Sequence, residues 1–134
     1  MYQKEIQLRV RYSETDRMNY VYYGNYAQYF EVGRVEALRS LGISYKKMED
    51  EGILLPVIDY KIKFIKPAFY DELLTIKTTI PSLPTARIIF LYETYNEKKE
   101  LINNGETTLV FVNSKTMKPC AAPKEVIDKL EKYF

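Results

Sequence analysis

The stretch that decides the fold is Asn25-Tyr-Ala-Gln-Tyr-Phe-Glu-Val-Gly-Arg-Val-Glu-Ala-Leu-Arg-Ser-Leu41. Its apolar residues recur every three or four positions, which is the period of one face of an α-helix. Further apolar residues leave little polar face, so the pattern predicts a helix that is buried nearly all round. Asn25 and Gln28 resemble a capping box at its start, and Gly42 is a natural stop. The positions of the apolar pattern are Tyr26, Tyr29, Phe30, Val32, Gly33, Val35, Ala37, Leu38 and Leu41.

Segments with the pattern of β-strands lie on both sides of this helix. From Tyr2 to Tyr12, apolar and polar residues alternate, which is typical of a half-buried strand. Pro67 marks a break between later segments. A short polar helix or turn is predicted for 44–52, and an amphipathic closing helix follows Pro123. The predicted strands are 2–12, 54–66, 73–80, 86–96 and 105–113, and the polar stretch 96–104 separates the last two.

One strand, one long helix and then four strands is the order of an α+β fold in which sequential strands pair antiparallel. A helix that is apolar on nearly all sides cannot lie on a flat sheet with its back in water. We therefore expect a curled sheet wrapped around one central helix, or a partner subunit that covers the remainder. Gly33 in mid-helix costs about 1 kcal/mol relative to alanine, and we expect it to let the sheet backbone come close. With 134 residues, the chain is predicted to form a single domain, 1–134.

Composition narrows the classes of partner and compartment. The 20 basic and 18 acidic residues nearly balance, so no nucleic-acid partner is indicated. The 13 tyrosines could stack on bases, but half-buried strand faces and subunit interfaces are the commoner use of tyrosine. Cys120 is the single cysteine, the first residues do not resemble a signal peptide, and no apolar run approaches membrane-spanning length. We therefore expect a soluble, cytoplasmic protein with no membrane span.

The residue types present exclude most hydrolytic sites. The chain has no histidine, so a serine or cysteine nucleophile would lack its usual base. No metal site is predicted, because there is no histidine, no second cysteine and no run of close carboxylates. No cofactor is predicted either, since the 5 glycines form no phosphate-binding loop.

The catalytic group that remains after these exclusions is a carboxylate close to the start of a helix. Asp16 lies in the loop Tyr12-Ser-Glu-Thr-Asp16-Arg-Met-Asn19, shortly before the long helix. Free amides at a helix start can bind an oxyanion, while a nearby aspartate attacks a carbonyl or activates water. A thioester suits this pair, because its thiol has a pKa of about 8.5 and leaves as thiolate without help from an acid. The alternative is a loop aspartate that only hydrogen-bonds local amides.

The segment Thr15-Asp16-Arg-Met-Asn-Tyr-Val-Tyr-Tyr23-Gly-Asn-Tyr26 resembles the 4-hydroxybenzoyl-CoA thioesterase family of hotdog-fold proteins, including its YbgC-like acyl-CoA thioesterases. The resemblance implies a hotdog fold, in which a curled antiparallel sheet surrounds one long helix. It also implies that Asp16 is the catalytic aspartate and that the backbone amide of Tyr23 polarises the thioester carbonyl. YbgC-like members often carry histidine where this chain has Tyr23, and glycine is usual where it has Asn19. Asparagine tolerates a left-handed backbone, so we expect the turn to survive.

Further substrate contacts are predicted along the strands. Lys61, Lys63 and Lys66 alternate along one strand face and are candidates for binding the phosphates of coenzyme A, although a solvated face is the alternative. Arg87 is a fourth candidate for these phosphates. Val57 opens the strand that resembles the family's substrate-side wall and is a candidate acyl contact. The resemblance also implies a homo-oligomer, a dimer or a tetramer, with sites between subunits.

These observations predict an acyl-CoA thioesterase that hydrolyses the thioester of coenzyme A, or of acyl carrier protein, to a free acid and a thiol. Asp16 is predicted to act as nucleophile or general base, with an oxyanion site formed by backbone amides near Tyr23. The alternative is a non-catalytic domain that binds acyl-CoA or acyl carrier protein. Glu31 is expected to form an ion pair with Arg34, one turn along the helix, rather than to act in catalysis.

Overall fold

The main helices and strands follow the order that the sequence pattern predicts, but the predicted strands 54–66 and 105–113 are each divided in two, and residues 118–119 form a strand that was not predicted. The structure is a computed structural model, and it describes all 134 residues, Met1–Phe134. The helices are α1 (Asn25–Ser40), α2 (Tyr45–Asp50) and α3 (Lys124–Leu130), with 3-10 turns at Tyr12–Glu14 and Glu131–Tyr133. The strands are β1 (Tyr2–Arg9), β2 (Ile53–Leu54), β3 (Val57–Phe64), β4 (Leu73–Ile80), β5 (Arg87–Tyr95), β6 (Leu101–Val110), β7 (Val112–Asn113) and β8 (Lys118–Pro119).

Five of the strands form one curled antiparallel sheet in the order β1-β4-β5-β6-β3. On β4 and β5 every second residue is buried, because successive side chains of a strand point to opposite faces of the sheet. The buried face packs against α1, which lies across β1, β4 and β5. The predicted strand 73–80 is confirmed at both ends, and 86–96 within one residue. The short strands β2, β7 and β8 form a second sheet.

Helix α1 is buried along one side and exposed along the other. Tyr26, Phe30 and Ala37 lie in the core, but Val32 is 44% exposed. Burial nearly all round is therefore wrong for the single chain, because the sheet covers only the face that meets it. A Cβ added to Gly33 would lie 2.6 Å from Oγ1 of Thr78. The close approach predicted for this glycine exists, and it is made by sheet side chains rather than by sheet backbone.

Both predicted helix ends can be compared with the structure. Gly42 follows α1 with φ +80°, a conformation that glycine adopts without strain, so the predicted stop is confirmed. The predicted capping box is wrong. Gly24 occupies the N-cap position, and the side-chain amide of Asn25 donates instead to the backbone oxygen of Glu14 at 2.8 Å. None of the helices is long and apolar enough to cross a membrane.

Three further differences arise where packing overrides local pattern. β1 ends at Arg9, so Tyr12 is 77% exposed in a 3-10 turn rather than half-buried in a strand. β6 begins at Leu101, within the stretch expected to be a loop, and its Asn103 is fully buried. Arg34 forms no ion pair with a carboxylate, because its buried side chain lies beside the phenols of Tyr45 and Tyr92.

Candidate active site

The loop before α1 is a small hairpin that carries Asp16. Thr15 and Val21 form an isolated antiparallel bridge at its base. Asp16 donates its amide to the backbone oxygen of Tyr20 at 2.8 Å, and Asn19 donates its amide to the backbone oxygen of Asp16 at 3.0 Å. Asn19 has φ 65°, so the left-handed conformation expected of it is confirmed.

The Asp16 carboxylate is oriented by the hairpin itself. Its Oδ1 atom accepts hydrogen bonds from the amide of Met18 at 2.8 Å and from the amide of Tyr20 at 3.4 Å. Its Oδ2 atom accepts no hydrogen bond from the chain. These local bonds are the ones that the non-catalytic interpretation of Asp16 expects, and they also hold the second oxygen in a defined position.

The start of α1 leaves two backbone amides free. Tyr22 donates its amide to Glu14, and Asn25 donates its amide to Tyr22, at 2.8 and 2.9 Å. Tyr23 and Gly24 lie between Tyr22 and Asn25, and their amides donate to no acceptor in the chain. Free amides at the N-terminal end of a helix carry partial positive charge, so this segment favours an anionic oxygen.

Asp16, Tyr23 and Lys66 line one cavity of about 290 Å³. Most of its other lining is apolar and comes from the hairpin, from the start of α1 and from the end of β3, as at Tyr26 and Phe64. Burial raises the pKa of Tyr26 to about 12, so this phenol stays neutral in the wall. Lys66 pairs with Glu100 and holds the pKa of that carboxyl below its usual range.

The other predicted contacts lie outside this cavity. Lys61 and Lys63 line a separate groove of about 440 Å³ over β3, β6 and β5. This groove is larger, but it lacks the Asp16 carboxylate and the free amides. Val57 begins β3, about 23 Å along the strand from Phe64 at 3.3 Å per residue. Arg87 begins β5 and pairs with the strand end at Val110, near Val57 rather than near Asp16.

Glu14 is a feature that the sequence analysis missed. Its side chain is buried and accepts a hydrogen bond from the phenol of Tyr29 at 2.9 Å. The only sequence signal is its spacing of three from Arg11, whose backbone amide donates to the Glu14 carboxylate at 2.8 Å. No cluster of three or more histidine, cysteine or acidic side chains with the geometry to hold a metal ion is present.

Comparison with known proteins identifies the family. Residues 10–130 match the family model described as the thioesterase-like superfamily. The chain belongs to the thioesterase-like superfamily. This superfamily member is 34% identical over 119 residues to YneP of Bacillus subtilis (strain 168), covering 89% of this chain and 86% of that protein. It is 31% identical over 120 residues to the acyl-CoA thioester hydrolase YbgC of Escherichia coli O6:H1, covering 90% of each chain.

The fold of this thioesterase-like protein agrees with that of its solved relatives. The DHNA-CoA thioesterase from Staphylococcus aureus superposes with a TM-score of 0.87 at 37% identity. The match covers 100% of this chain and 85% of the other. The predicted α+β class and hotdog fold are therefore confirmed.

Proposed function

We propose that this chain, as a single domain, is an acyl-CoA thioesterase that hydrolyses its substrate to a free acid and coenzyme A. Membership of the thioesterase-like superfamily and similarity to the E. coli acyl-CoA thioester hydrolase support this class of reaction. The observation that carries the proposal is that Asp16 and Tyr23 line one cavity, and that the Tyr23 amide has no acceptor in the chain.

In the proposed reaction, the thioester carbonyl oxygen accepts hydrogen bonds from the amides at Tyr23 and Gly24. Negative charge develops on this oxygen as the tetrahedral intermediate forms, and these two amides at the N-terminal end of α1 stabilise it. When the intermediate collapses, the carbon–sulfur bond breaks and the sulfur leaves as thiolate. A thiol of pKa about 8.5 needs no general acid for this step, so the absence of histidine is compatible with turnover.

Two roles for Asp16 fit the free Oδ2 atom. As a nucleophile, Oδ2 would attack the carbonyl carbon and form a mixed anhydride that water then hydrolyses. As a general base, it would take a proton from the water that attacks the carbonyl directly. A single turnover in ¹⁸O-labelled water separates the two roles. If water opens the anhydride at its aspartyl carbon, the first-turnover acid carries an unlabelled oxygen from Asp16 and the label enters the Asp16 carboxylate. Direct attack by water instead gives a labelled acid and an unlabelled Asp16.

The substrate's coenzyme A portion is proposed to contact Lys66, the one predicted cation in the cavity lining. Lys61, Lys63, Arg87 and Val57 would reach a substrate only if a second subunit contributed them. Strand β3 lies at the edge of the sheet with its apolar Ile58 48% exposed, which is typical of a strand that pairs with another chain. We therefore propose a homo-oligomer, a dimer or a tetramer, with these residues at or near its interface.

The test of the proposed function is thiol release by Asp16→Asn across short, long and aromatic acyl-CoAs, with an acyl carrier protein thioester as an additional substrate. Asparagine retains the acceptor for the Met18 amide, so the variant is expected to fold normally. Because the carboxylate is lost, the variant is expected to lose at least about 99% of the rate, roughly the loss seen when a catalytic group of this kind is removed. Asp50→Asn, at a surface ion pair of α2, is the matched control. A wild-type rate in Asp16→Asn would reject the assignment. Saturable binding without thiol release by the native protein would favour the non-catalytic binding domain.

A further inference from the structure

Glu14, at the base of the hairpin that carries Asp16, is hydrogen-bonded to α1 through both its main chain and its side chain. The backbone oxygen of Glu14 accepts hydrogen bonds from the Tyr22 amide and from Nδ2 of Asn25, both at 2.8 Å. Asp16 lies two residues after Glu14, and Tyr23 lies between Tyr22 and Asn25. The main chain of Glu14 therefore holds the two halves of the candidate active site in one relative position.

The side chain of Glu14 adds a second connection to the same helix. Its Oε1 atom accepts from the phenol of Tyr29 at 2.9 Å and from the Arg11 amide at 2.8 Å. Its Oε2 atom faces the Arg11 guanidinium at 3.2 Å. Only 9% of the Glu14 side chain is exposed, whereas the Arg11 side chain is 77% exposed. Burial, together with the bond to Glu14, raises the pKa of Tyr29, so the phenol keeps the proton that it donates.

A buried carboxylate with these partners fixes the relative position of two segments more than it stabilises the fold. Removing the Glu14 charge from water is costly, and apolar side chains of similar volume are often at least as stable in such a place. A carboxylate that accepts from the backbone at one end and from a helix side chain at the other does fix direction and distance, which apolar contact does not.

We propose that Glu14 and Tyr29 form a positioning pair, which sets the angle of the Asp16 hairpin against the amides at Tyr23 and Gly24. The pair touches no substrate and acts through Asp16. This inference rests on the proposed function, because the purpose of the angle is to present Oδ2 to a carbonyl held at those amides. Small displacements are sufficient to matter, since a shift of about 1 Å in a reacting group can lower a rate by about 100-fold.

Tyr29→Phe tests the pair, because it removes one hydroxyl and leaves the ring in place. Tyr95→Phe is the matched control, since Tyr95 also donates at 2.9 Å to a glutamate, Glu93, on β5 and outside the cavity. We expect Tyr29→Phe to lower kcat for acyl-CoA by roughly 10- to 100-fold with KM changed less than about twofold. Tyr95→Phe is expected to retain kcat. Both variants are compared well below their melting temperatures, so that a general loss of stability does not enter the comparison. Equal kcat values for the two variants would overturn the proposal.

Glu14→Gln separates position from charge. Glutamine keeps the oxygen that accepts from Tyr29, and the exposed Arg11 side chain can turn into solvent. This variant is expected to keep kcat within roughly threefold, whereas Glu14→Ala is expected to lose at least as much as Tyr29→Phe. A glutamine variant as slow as the alanine variant would show that the Tyr29 bond is not what matters, and the proposal would be wrong.

Amide hydrogen exchange gives a readout that needs no substrate. Loss of the Tyr29 bond is expected to speed exchange at Asp16 and Tyr22 by roughly fivefold, the factor for one hydrogen bond of about 1 kcal/mol. Tyr95→Phe should leave these two amides unchanged. Unchanged exchange at the Asp16 and Tyr22 amides in Tyr29→Phe would overturn the proposal that Glu14 and Tyr29 position the hairpin. If the native protein hydrolyses no acyl-CoA, the proposed function fails, and exchange alone then decides whether Glu14 positions the hairpin.

Discussion

The Oδ1 atom of Asp16 lies 2.8 Å from the backbone nitrogen of Met18. This bond fixes the plane of the carboxylate, so that Oδ2 is the oxygen available for reaction. Glutamate at this position keeps the charge but adds one methylene, which moves the oxygens by more than 1 Å. We expect Asp16→Glu to lower kcat by about 100-fold while the melting temperature stays nearly unchanged. A steady-state thiol-release assay measures this, and a rate close to that of the native protein would show that the orientation is unimportant.

Lys66 is expected to be the lysine on which substrate affinity depends. It lines the Asp16 cavity, whereas Lys61 lies in a separate groove. Both lysines form ion pairs with glutamates, Lys66 with Glu100 and Lys61 with Glu106, so it is their positions that distinguish them. We predict that Lys66→Met raises KM for acyl-CoA by roughly 3- to 10-fold, the loss of one charge-assisted contact. Lys61→Met serves as the matched control within one subunit. A larger effect from Lys61→Met would place the coenzyme A phosphates in the groove over β3 instead.

Gly33 is expected to resist replacement although it lies in a helix. Alanine would gain about 1 kcal/mol of helix propensity, but its Cβ would lie 2.6 Å from Oγ1 of Thr78 and 3.2 Å from Ile76. We predict that Gly33→Ala lowers the free energy of unfolding by about 1 to 3 kcal/mol, as overpacked cores do. Urea unfolding of both single variants and of Gly33→Ala with Thr78→Ala completes a double-mutant cycle. The double variant should recover part of the loss, and strict additivity would contradict the clash.

Buried tyrosines are expected to limit stability at high pH. Burial raises the pKa of Tyr26 and of Tyr45 to about 12, above the usual value of about 10. The folded chain therefore keeps protons that the unfolded chain loses, so stability is full below pH about 10 and falls between pH about 10 and 12. Tyr26→Phe should reduce the slope of unfolding free energy against pH in this window by about 1.4 kcal/mol per pH unit. An unchanged slope in urea titrations would mean that Tyr26 ionises freely in the folded state.

Self-association through β3 is expected from its exposed apolar residues. Val57, Ile58 and Phe64 are 44%, 48% and 50% exposed on this edge strand. We predict a dimer or a tetramer in light scattering at micromolar concentration, and Ile58→Asp should weaken association at least about 10-fold, because a charge would be buried without a partner. Gln3→Asp, on β1 at the opposite edge, is the control. A native protein that is monomeric and fully active would contradict the proposed oligomer.

Much of the fold could be predicted because it depends on local pattern. The alternation of 73–80 marked β4 at both ends, and the helical period placed α1 to within one residue of its end. The nearness of Asp16 to the first turn of α1 was equally accessible, since only a short loop separates them. Boundaries failed where a partner strand decided the outcome. The polar stretch 96–104 contains the start of β6, because pairing with β5 and β3 buries Asn103.

The sequence by itself determined the element order, the carboxylate before a helix start and the lack of imidazole, because residue types and backbone periods are local properties. Only the tertiary structure decided which side of α1 is buried, that Lys66 and not Lys61 shares the cavity of Asp16, and that Glu14 reaches Tyr29. Those contacts join residues whose separation is set by sheet register and curl. Register and curl arise from pairing between distant segments, so no single stretch of the chain contains them.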